Sequence, residues 1–204
     1  MIKSEVLPLF SKPVLVVNHD DDAPNIDLLA FCKTLEYTPN GGGGGNFTSD
    51  NKSILDLEEF SHIKEKILTG LREYTYNLMG WQELEFYITQ SWLNVNPHES
   101  SHHKHYHFNS IVSGTYYLET SDEDCIVFYS DDKPQLDFEK SFYNIYNASV
   151  YKVPIKTNTL VLFPSILTHS VDDNTAEWER VSIAFNVFVK GTLGSEKHLT
   201  YLEL

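Results

Sequence analysis

The chain after Gly80 is dominated by short segments in which apolar and polar residues alternate with a period of two. These segments are rich in aromatic and β-branched residues and lie at 84–95, 111–118, 125–129, 150–153, 159–163 and 181–189. Turn-forming clusters separate them, for example at 121–124 and 172–174. Many short strands at roughly even spacing predict an antiparallel sandwich or barrel.

The first 80 residues carry helical patterns. Between 50 and 79 apolar residues recur at three- and four-residue steps, which predicts one amphipathic helix packed on the outside of a sheet. A shorter helix is predicted over 25–37, and short strands are predicted at 6–10 and 13–17. Five consecutive glycines at 41–45 predict a mobile loop. A phosphate-binding loop would need a Lys-Ser/Thr pair after the glycines, and none follows.

A length of 204 residues fits one ordinary domain. No Pro/Ser-rich linker separates the helical segment from the strands. We therefore expect a single α+β domain over 1–204, mainly β, in which 1–80 supply N-terminal strands and supporting helices. Residues 81–190 then form the β core that carries the site.

The charge balance excludes several classes of partner. Fifteen basic and 29 acidic side chains give a net charge of −14, which argues against nucleic acid and against an anionic membrane surface. No apolar run approaches the roughly 20 residues that span a bilayer, and no signal peptide is visible. Cys32 and Cys125 form no C-x-x-C motif. A reducing, cytoplasmic location is the expectation.

Histidine is the unusual component of this sequence. Five of the nine histidines fall within ten positions: His98, His102, His103, His105 and His107. On a regular strand His103, His105 and His107 share one face and His102 lies on the other, so two imidazoles at i and i+2 can reach one metal ion. A third ligand must come from distant sequence. The best candidate is His169, since it follows a buried strand that breaks at Pro164.

The strand that begins at Arg180 has two different faces. Val181, Ile183, Phe185 and Val187 form an apolar face, and the alternate residues Arg180, Ser182, Ala184 and Asn186 form the other. Such a strand packs outward on its apolar face and lines a polar cavity on the inside. An arginine on the inner face can bind a carboxylate in a bidentate manner.

In combination these segments resemble a known family. The motifs are His105-x-His107, Ser113-Gly114-x-Tyr116-Tyr117, Phe163-Pro164-Ser165-x-x-x-His169 and Arg180-x-Ser182-x-x-Phe185-Asn186. Their order and spacing are similar to those of the iron(II)- and 2-oxoglutarate-dependent oxygenases, and more closely to a small, largely uncharacterised branch of that superfamily. The resemblance covers roughly 92–189. Each motif alone is weak, whereas their joint occurrence is specific.

The resemblance implies a double-stranded β-helix, also called a jelly roll, with helices packed on one sheet. It implies Fe(II) held by His105, His107 and His169. His103 is an alternative to His105 or His107, because it shares their face of the strand. It further implies that Arg180 and Ser182 bind the distal carboxylate of 2-oxoglutarate and that Tyr117 hydrogen-bonds this cosubstrate. Asn94 and Asn186 are expected to point into the barrel near it, and O2 completes the reactants.

One departure from the superfamily pattern leaves alternatives open. Most members have Asp or Glu at the position of His107, and three-histidine sites occur in oxygenases that use no 2-oxo acid. The expected function is a hydroxylase acting on a small-molecule or peptide substrate. The alternatives are a three-histidine dioxygenase that needs no 2-oxoglutarate, and a non-catalytic jelly-roll module. A homodimer is also compatible with the sequence.

Overall fold

The computed structural model describes residues 3–20, 25–81, 84–132, 136 and 138–204. These residues form thirteen strands, and each of the six segments that alternate in sequence corresponds to one of them. The strands are β1 (Leu15–Asn18), β2 (Tyr37–Pro39), β3 (Phe47–Ser49), β4 (Glu85–Asn96), β5 (His102–His105), β6 (Val112–Glu119), β7 (Cys125–Tyr129), β8 (Val150–Pro154), β9 (Thr159–Pro164), β10 (His169–Val171), β11 (Arg180–Lys190), β12 (Thr192–Leu193) and β13 (Leu202–Glu203).

Two antiparallel sheets build the body of the fold. The larger sheet has seven strands in the order β1-β9-β6-β11-β4-β3-β2, and the smaller has four in the order β5-β10-β7-β8. Strands β12 and β13 form a separate hairpin-like pair. The sequence-adjacent strands β9 and β10 lie in different sheets, as do β6 and β7, so the chain crosses repeatedly between the two layers. This is the jelly-roll arrangement predicted from the sequence.

Helices cover the outer face of the seven-stranded sheet. They are α1 (Ile26–Cys32) and α2 (Ser61–Arg72). The apolar stripe of α2, including Ile63, Ile67 and Leu71, is buried in one cluster with Leu160 and Ile183 of the sheet. Burying an aliphatic side chain of this size contributes about 1.5–3 kcal/mol, so this face anchors the helix. The prediction that helices pack on one sheet is confirmed.

The helical pattern at 50–79 divides into several pieces. Two 3₁₀ turns, Ile54–Asp56 and Glu58–Phe60, precede α2, and a π-helical stretch, Glu73–Leu78, follows it. Leu57 has an extended backbone between the two 3₁₀ turns, which prevents one continuous helix. The helix predicted over 25–37 is also shorter, since α1 ends at Cys32.

The prediction of a strand at 6–10 is wrong. These residues form loop and turn, because Pro8 has no N–H to donate to a neighbouring strand. The prediction at 13–17 is close, since β1 pairs with β9. Among the described residues, no helix has both the length and the apolar character needed to cross a bilayer.

Candidate metal centre and cosubstrate pocket

A β-bulge places two histidines of β5 on the same side of the strand. His169 of β10 pairs with His105, and Val171, two positions later, pairs with His102, three positions from His105. The extra residue on β5 cancels the normal alternation, so His102 and His105 both line the cavity between the sheets. The prediction that His102 faces away from His105 is therefore wrong.

Three imidazoles from two segments converge at this cavity. His105, His107 and His169 each offer a ring nitrogen, and these nitrogens lie within 4.8 Å of one another. Each ring is fixed through its other nitrogen. Nδ1 of His105 donates to the carbonyl of His103 at 2.7 Å, and Nδ1 of His169 donates to the carbonyl of Leu167 at 2.9 Å. Such bonds set the tautomer that leaves Nε2 as the free lone pair.

The third ring is held by side chains. Nδ1 of His107 lies 2.6 Å from Oδ1 of Asn186 and 2.8 Å from Oγ of Ser113. Nε2 of His107 is then 3.1 Å from Nε2 of His105. Two unprotonated ring nitrogens at this distance repel each other unless a cation lies between them. This set of donors therefore fits a divalent transition metal.

Burial keeps these imidazoles neutral, as metal ligands must be. It lowers the pKa of His105 to about 4 and that of His169 to about 3, with smaller contributions from the neighbouring histidines. Burial also lowers the pKa of His107, while its hydrogen bond with Asn186 acts in the opposite direction. The three lone pairs are thus available to a metal ion at neutral pH.

The wall of the cavity beyond the histidines is polar. It is formed by alternate residues of three adjacent strands: Trp92, Asn94 and Asn96 of β4, Thr115 and Tyr117 of β6, and Arg180, Ser182 and Ala184 of β11. The hydroxyl of Tyr117 and Nδ2 of Asn96 are both buried and have no hydrogen-bond partner. Burial also raises the pKa of Tyr117, so its hydroxyl stays protonated. Unpaired buried donors are costly, and here they fit an anionic ligand.

Arg180 is held in place by two contacts of its guanidinium. It is only 2% exposed, and its Nη1 lies 2.5 Å from Oδ1 of Asp124. Its Nη2 donates to the backbone carbonyl of Asp172 at 3.0 Å. Arg180 therefore lies beside the cavity with an acidic partner that the sequence did not predict.

A second group of histidines lies next to the first. His102, His103 and His105 also bring ring nitrogens within 4.8 Å of one another. Asn46 Nδ2 contacts Nδ1 of His102 at 3.2 Å, which leaves a hydrogen on Nε2 of His102. This second group is therefore a poorer metal site.

The glycine segment packs on this strand, contrary to the prediction of a mobile loop. The N–H of Ser101 donates to the carbonyl of Gly44 at 2.8 Å, and Gly45 forms a bridge with Ser101. A Cβ at position 42 would lie 1.8 Å from Nδ1 of His103, and one at position 44 would lie 2.2 Å from the carbonyl oxygen of Ser101. Glycines are required here because the two backbones approach closely.

The structure brings together most residues that the motifs predicted, and separates a few. His105, His107, His169, Arg180, Ser182, Tyr117 and Asn94 all border one cavity. Asn186 instead contacts His107, and His103 lies with His102. Sequence reasoning missed Asp124 and Asn96. The period of two that selected Asn94 also selects Asn96, whereas nothing local marks Asp124.

Comparison with known proteins supports this description. Residues 90–186 match the model of a family described as "Putative 2OG-Fe(II) oxygenase". No curated protein matches the chain significantly. The resemblance to the iron(II)- and 2-oxoglutarate-dependent oxygenases is thereby confirmed, while the particular pattern of motifs stays a prediction.

Solved structures of this class share the fold. The epimerase SnoN from nogalamycin biosynthesis is 16% identical, with a TM-score of 0.63 over 87% of this chain and 78% of its own. HygX from Streptomyces hygroscopicus, solved with nickel, 2-oxoglutarate and hygromycin B, is 13% identical, with a TM-score of 0.59 over 86% and 82%. A prolyl-4-hydroxylase from Pseudomonas putida is 18% identical, with a TM-score of 0.58 over 86% and 93%. The fold is the double-stranded β-helix of 2-oxoglutarate oxygenases.

Proposed function

We propose that the chain is an iron(II)- and 2-oxoglutarate-dependent dioxygenase, and specifically a hydroxylase. In this proposal His105, His107 and His169 hold Fe(II) through Nε2. Arg180, Tyr117, Ser182, Asn94 and Asn96 receive 2-oxoglutarate. The metal, when bound, supplies the activation of O2 that is coupled to oxidation of 2-oxoglutarate to succinate and CO2.

The protein itself contributes position and environment. The carbonyls of His103 and Leu167, together with Asn186, orient the three rings. Arg180 and the hydroxyl of Tyr117 offer donors to a distal carboxylate, which a bidentate guanidinium recognises well. The buried walls exclude water, and this strengthens every electrostatic contact in the pocket.

One observation carries the proposal. Three imidazoles, whose Nδ1 atoms are already hydrogen-bonded, bring their free Nε2 atoms close together. The same cavity is lined by the buried Arg180 and by two residues with unpaired buried donors, Tyr117 and Asn96. A purely structural metal site would be closed by a fourth protein ligand. Here three ligands adjoin a polar pocket that fits a dicarboxylate.

The test is formation of succinate from 2-oxoglutarate by the Fe(II)-loaded protein in air, with O2 consumption recorded in parallel. We expect slow turnover even without a primary substrate, and its loss in His169→Ala and Arg180→Gln. His62→Ala, on the exposed face of α2, is the matched control and keeps wild-type turnover. A wild-type protein that binds no metal and forms no succinate would overturn the proposal.

A second candidate, a three-histidine dioxygenase without 2-oxoglutarate, is favoured by a specific observation. His107 stands where most of the superfamily has a carboxylate ligand, which makes the metal site more positive. O2 uptake by the Fe(II)-loaded protein that is independent of 2-oxoglutarate and unaffected by Arg180→Gln would support this candidate instead.

The substrate class we propose is a small molecule or a peptide. Two solved structures of the same fold are HygX with hygromycin B bound and a prolyl-4-hydroxylase. Tyr106 and Phe108, which alternate with the metal-binding histidines, are 46% and 75% exposed and contact each other at a ring-centroid distance of 4.8 Å. This apolar pair provides a surface for the uncharged part of a substrate.

A further inference from the structure

Asp124 is a buried acid with both carboxylate oxygens engaged. Oδ1 accepts from Nη1 of Arg180, and Oδ2 accepts from the backbone N–H of Ser121 at 2.8 Å. The side chains of Asp124 and Arg180 are 3% and 2% exposed. Removing one partner of a buried pair leaves an uncompensated charge, so the two side chains depend on each other.

The contacts of Arg180 fix the plane of its guanidinium. Nη1 is held by Asp124 and Nη2 by the carbonyl of Asp172. On β11, Arg180 pairs with Asn96, and Ser182 pairs with Tyr117. The two unpaired buried donors of the cavity therefore lie on the strands that flank this guanidinium. A clamped arginine makes a geometrically selective carboxylate receptor.

The charge of the pocket depends on the same residue. Three neutral histidines, a divalent metal and Arg180 would give three positive charges, and Asp124 reduces the sum to two. Where His107 replaces the carboxylate ligand that the superfamily usually carries, the metal lacks one negative charge. The negative charge of Asp124 by itself opposes binding of a second carboxylate, so any gain for a dicarboxylate must come from the way Asp124 orients the guanidinium of Arg180.

We propose that Asp124 is a positioning residue that clamps Arg180 and thereby sets the preference of the pocket for a 2-oxo dicarboxylate over a 2-oxo monocarboxylate. This inference rests on the proposed function, because it assumes a metal-bound 2-oxo acid. Asp124 acts through Arg180 and does not touch the ligand.

The experiment compares two ligands of the same chain length on Mn(II)-loaded protein by titration calorimetry. 2-Oxoglutarate has a distal carboxylate, and 2-oxopentanoate lacks one. We expect Asp124→Asn to reduce the ratio of the two affinities by about tenfold or more, mainly by weakening 2-oxoglutarate. Asp56→Asn, which breaks the exposed ion pair with Lys64, is the matched control and keeps the wild-type ratio.

A double-mutant cycle separates clamping from general loosening of the fold. Arg180→Gln removes the receptor, and the combination with Asp124→Asn leaves two neutral side chains in the buried pair, which protects folding. We expect Asp124→Asn to change the ligand ratio less than twofold in the Arg180→Gln background, because its effect passes through Arg180. If Asp124→Asn alone does not fold, Asp124→Glu keeps the charge, displaces the clamp and is expected to lower the ratio.

The outcomes are distinct. The role of Asp124 alone would be overturned if the wild-type protein binds Mn(II) and prefers 2-oxoglutarate and the Asp124 variants keep that preference. The role of Asp124 would also be overturned if Asp124→Asn lowers the affinity ratio equally in the wild-type and Arg180→Gln backgrounds. A wild-type protein that binds neither ligand would overturn the proposed function itself.

Discussion

Oδ1 of Asn186 lies 2.6 Å from Nδ1 of His107, so a residue of the long strand β11 orients a histidine 79 positions earlier in the chain. Ser113 of β6 joins the same contact, since its hydroxyl lies 2.8 Å from both atoms. The seven-stranded sheet thus positions a proposed metal ligand that follows β5 of the other sheet. This contact fixes the tautomer of His107.

Replacing Asn186 should weaken metal binding without removing any ligand. We expect Asn186→Ala to lower Mn(II) affinity about tenfold, in the range typical of groups that orient a metal-binding histidine. Asn77→Ala, at an exposed helical position whose side chain donates to Glu73, provides the control. Metal titration by calorimetry measures both variants, and an unchanged affinity in Asn186→Ala would show that His107 is not a ligand.

The two histidine groups make opposite predictions for His103 and His107. If the metal lies among His105, His107 and His169, then His107→Ala loses stoichiometric metal binding and His103→Ala keeps it. Metal content after gel filtration, measured by atomic emission, distinguishes the two variants. The reverse pattern would place the metal at His102, His103 and His105 instead.

The metal-free protein should lose stability as the pH falls below neutrality. The pKa of His169 is about 3 in the folded chain, and an unfolded histidine titrates near 6.5, so protonation favours the unfolded state. Its contribution is complete above about pH 6.5 and declines by about 1.4 kcal/mol per pH unit below that. Urea unfolding at pH 7, 6 and 5 should show a shallower pH dependence in His169→Gln than in the wild type. An equal pH dependence of the unfolding free energy in the two proteins would contradict the low pKa of His169 in the folded chain.

The glycine loop gives a test of packing within one segment. Gly44→Ala would place a methyl group 2.2 Å from the backbone carbonyl of Ser101, and we expect a loss of about 1–3 kcal/mol in the free energy of unfolding. Gly41→Ala meets no atom within 4 Å and should change stability by less than about 0.5 kcal/mol. The free energies of unfolding of Gly44→Ala and Gly41→Ala are compared with that of the wild type by urea denaturation. Equal stability of the two variants would mean that the loop does not pack on β5.

Local periodicity predicted much of the fold. Alternation located the long strands β4 and β11 to within one residue at most ends, and the inner face that bears Arg180 and Ser182 followed from the same period. The division of the chain near residue 80 stays a prediction. Periodicity failed for the helical segment, because one extended residue at Leu57 interrupts the pattern. The apolar positions from Phe60 to Tyr74 are buried as predicted, whereas Leu78 is 51% exposed.

The rest of the site depends on contacts that a linear pattern does not encode. His102 joins the cavity through a bulge created by the register between β5 and β10. Asp124 reaches Arg180 across 56 positions from a turn whose acidic residues look like ordinary solvent-exposed turn residues. The glycine run is ordered by its close approach to Ser101 and His103, and composition alone predicted only its flexibility.

The most direct test of the central claim is an anaerobic crystal structure of the protein with Mn(II) and 2-oxoglutarate. The account predicts one metal ion bound by Nε2 of His105, His107 and His169 at about 2.1 Å, close to the metal–imidazole distances known for zinc. The 2-oxo acid end should chelate the metal, and the distal carboxylate should contact Arg180 and the hydroxyl of Tyr117. A metal ion at His102 and His103, or a distal carboxylate away from Arg180, would contradict it.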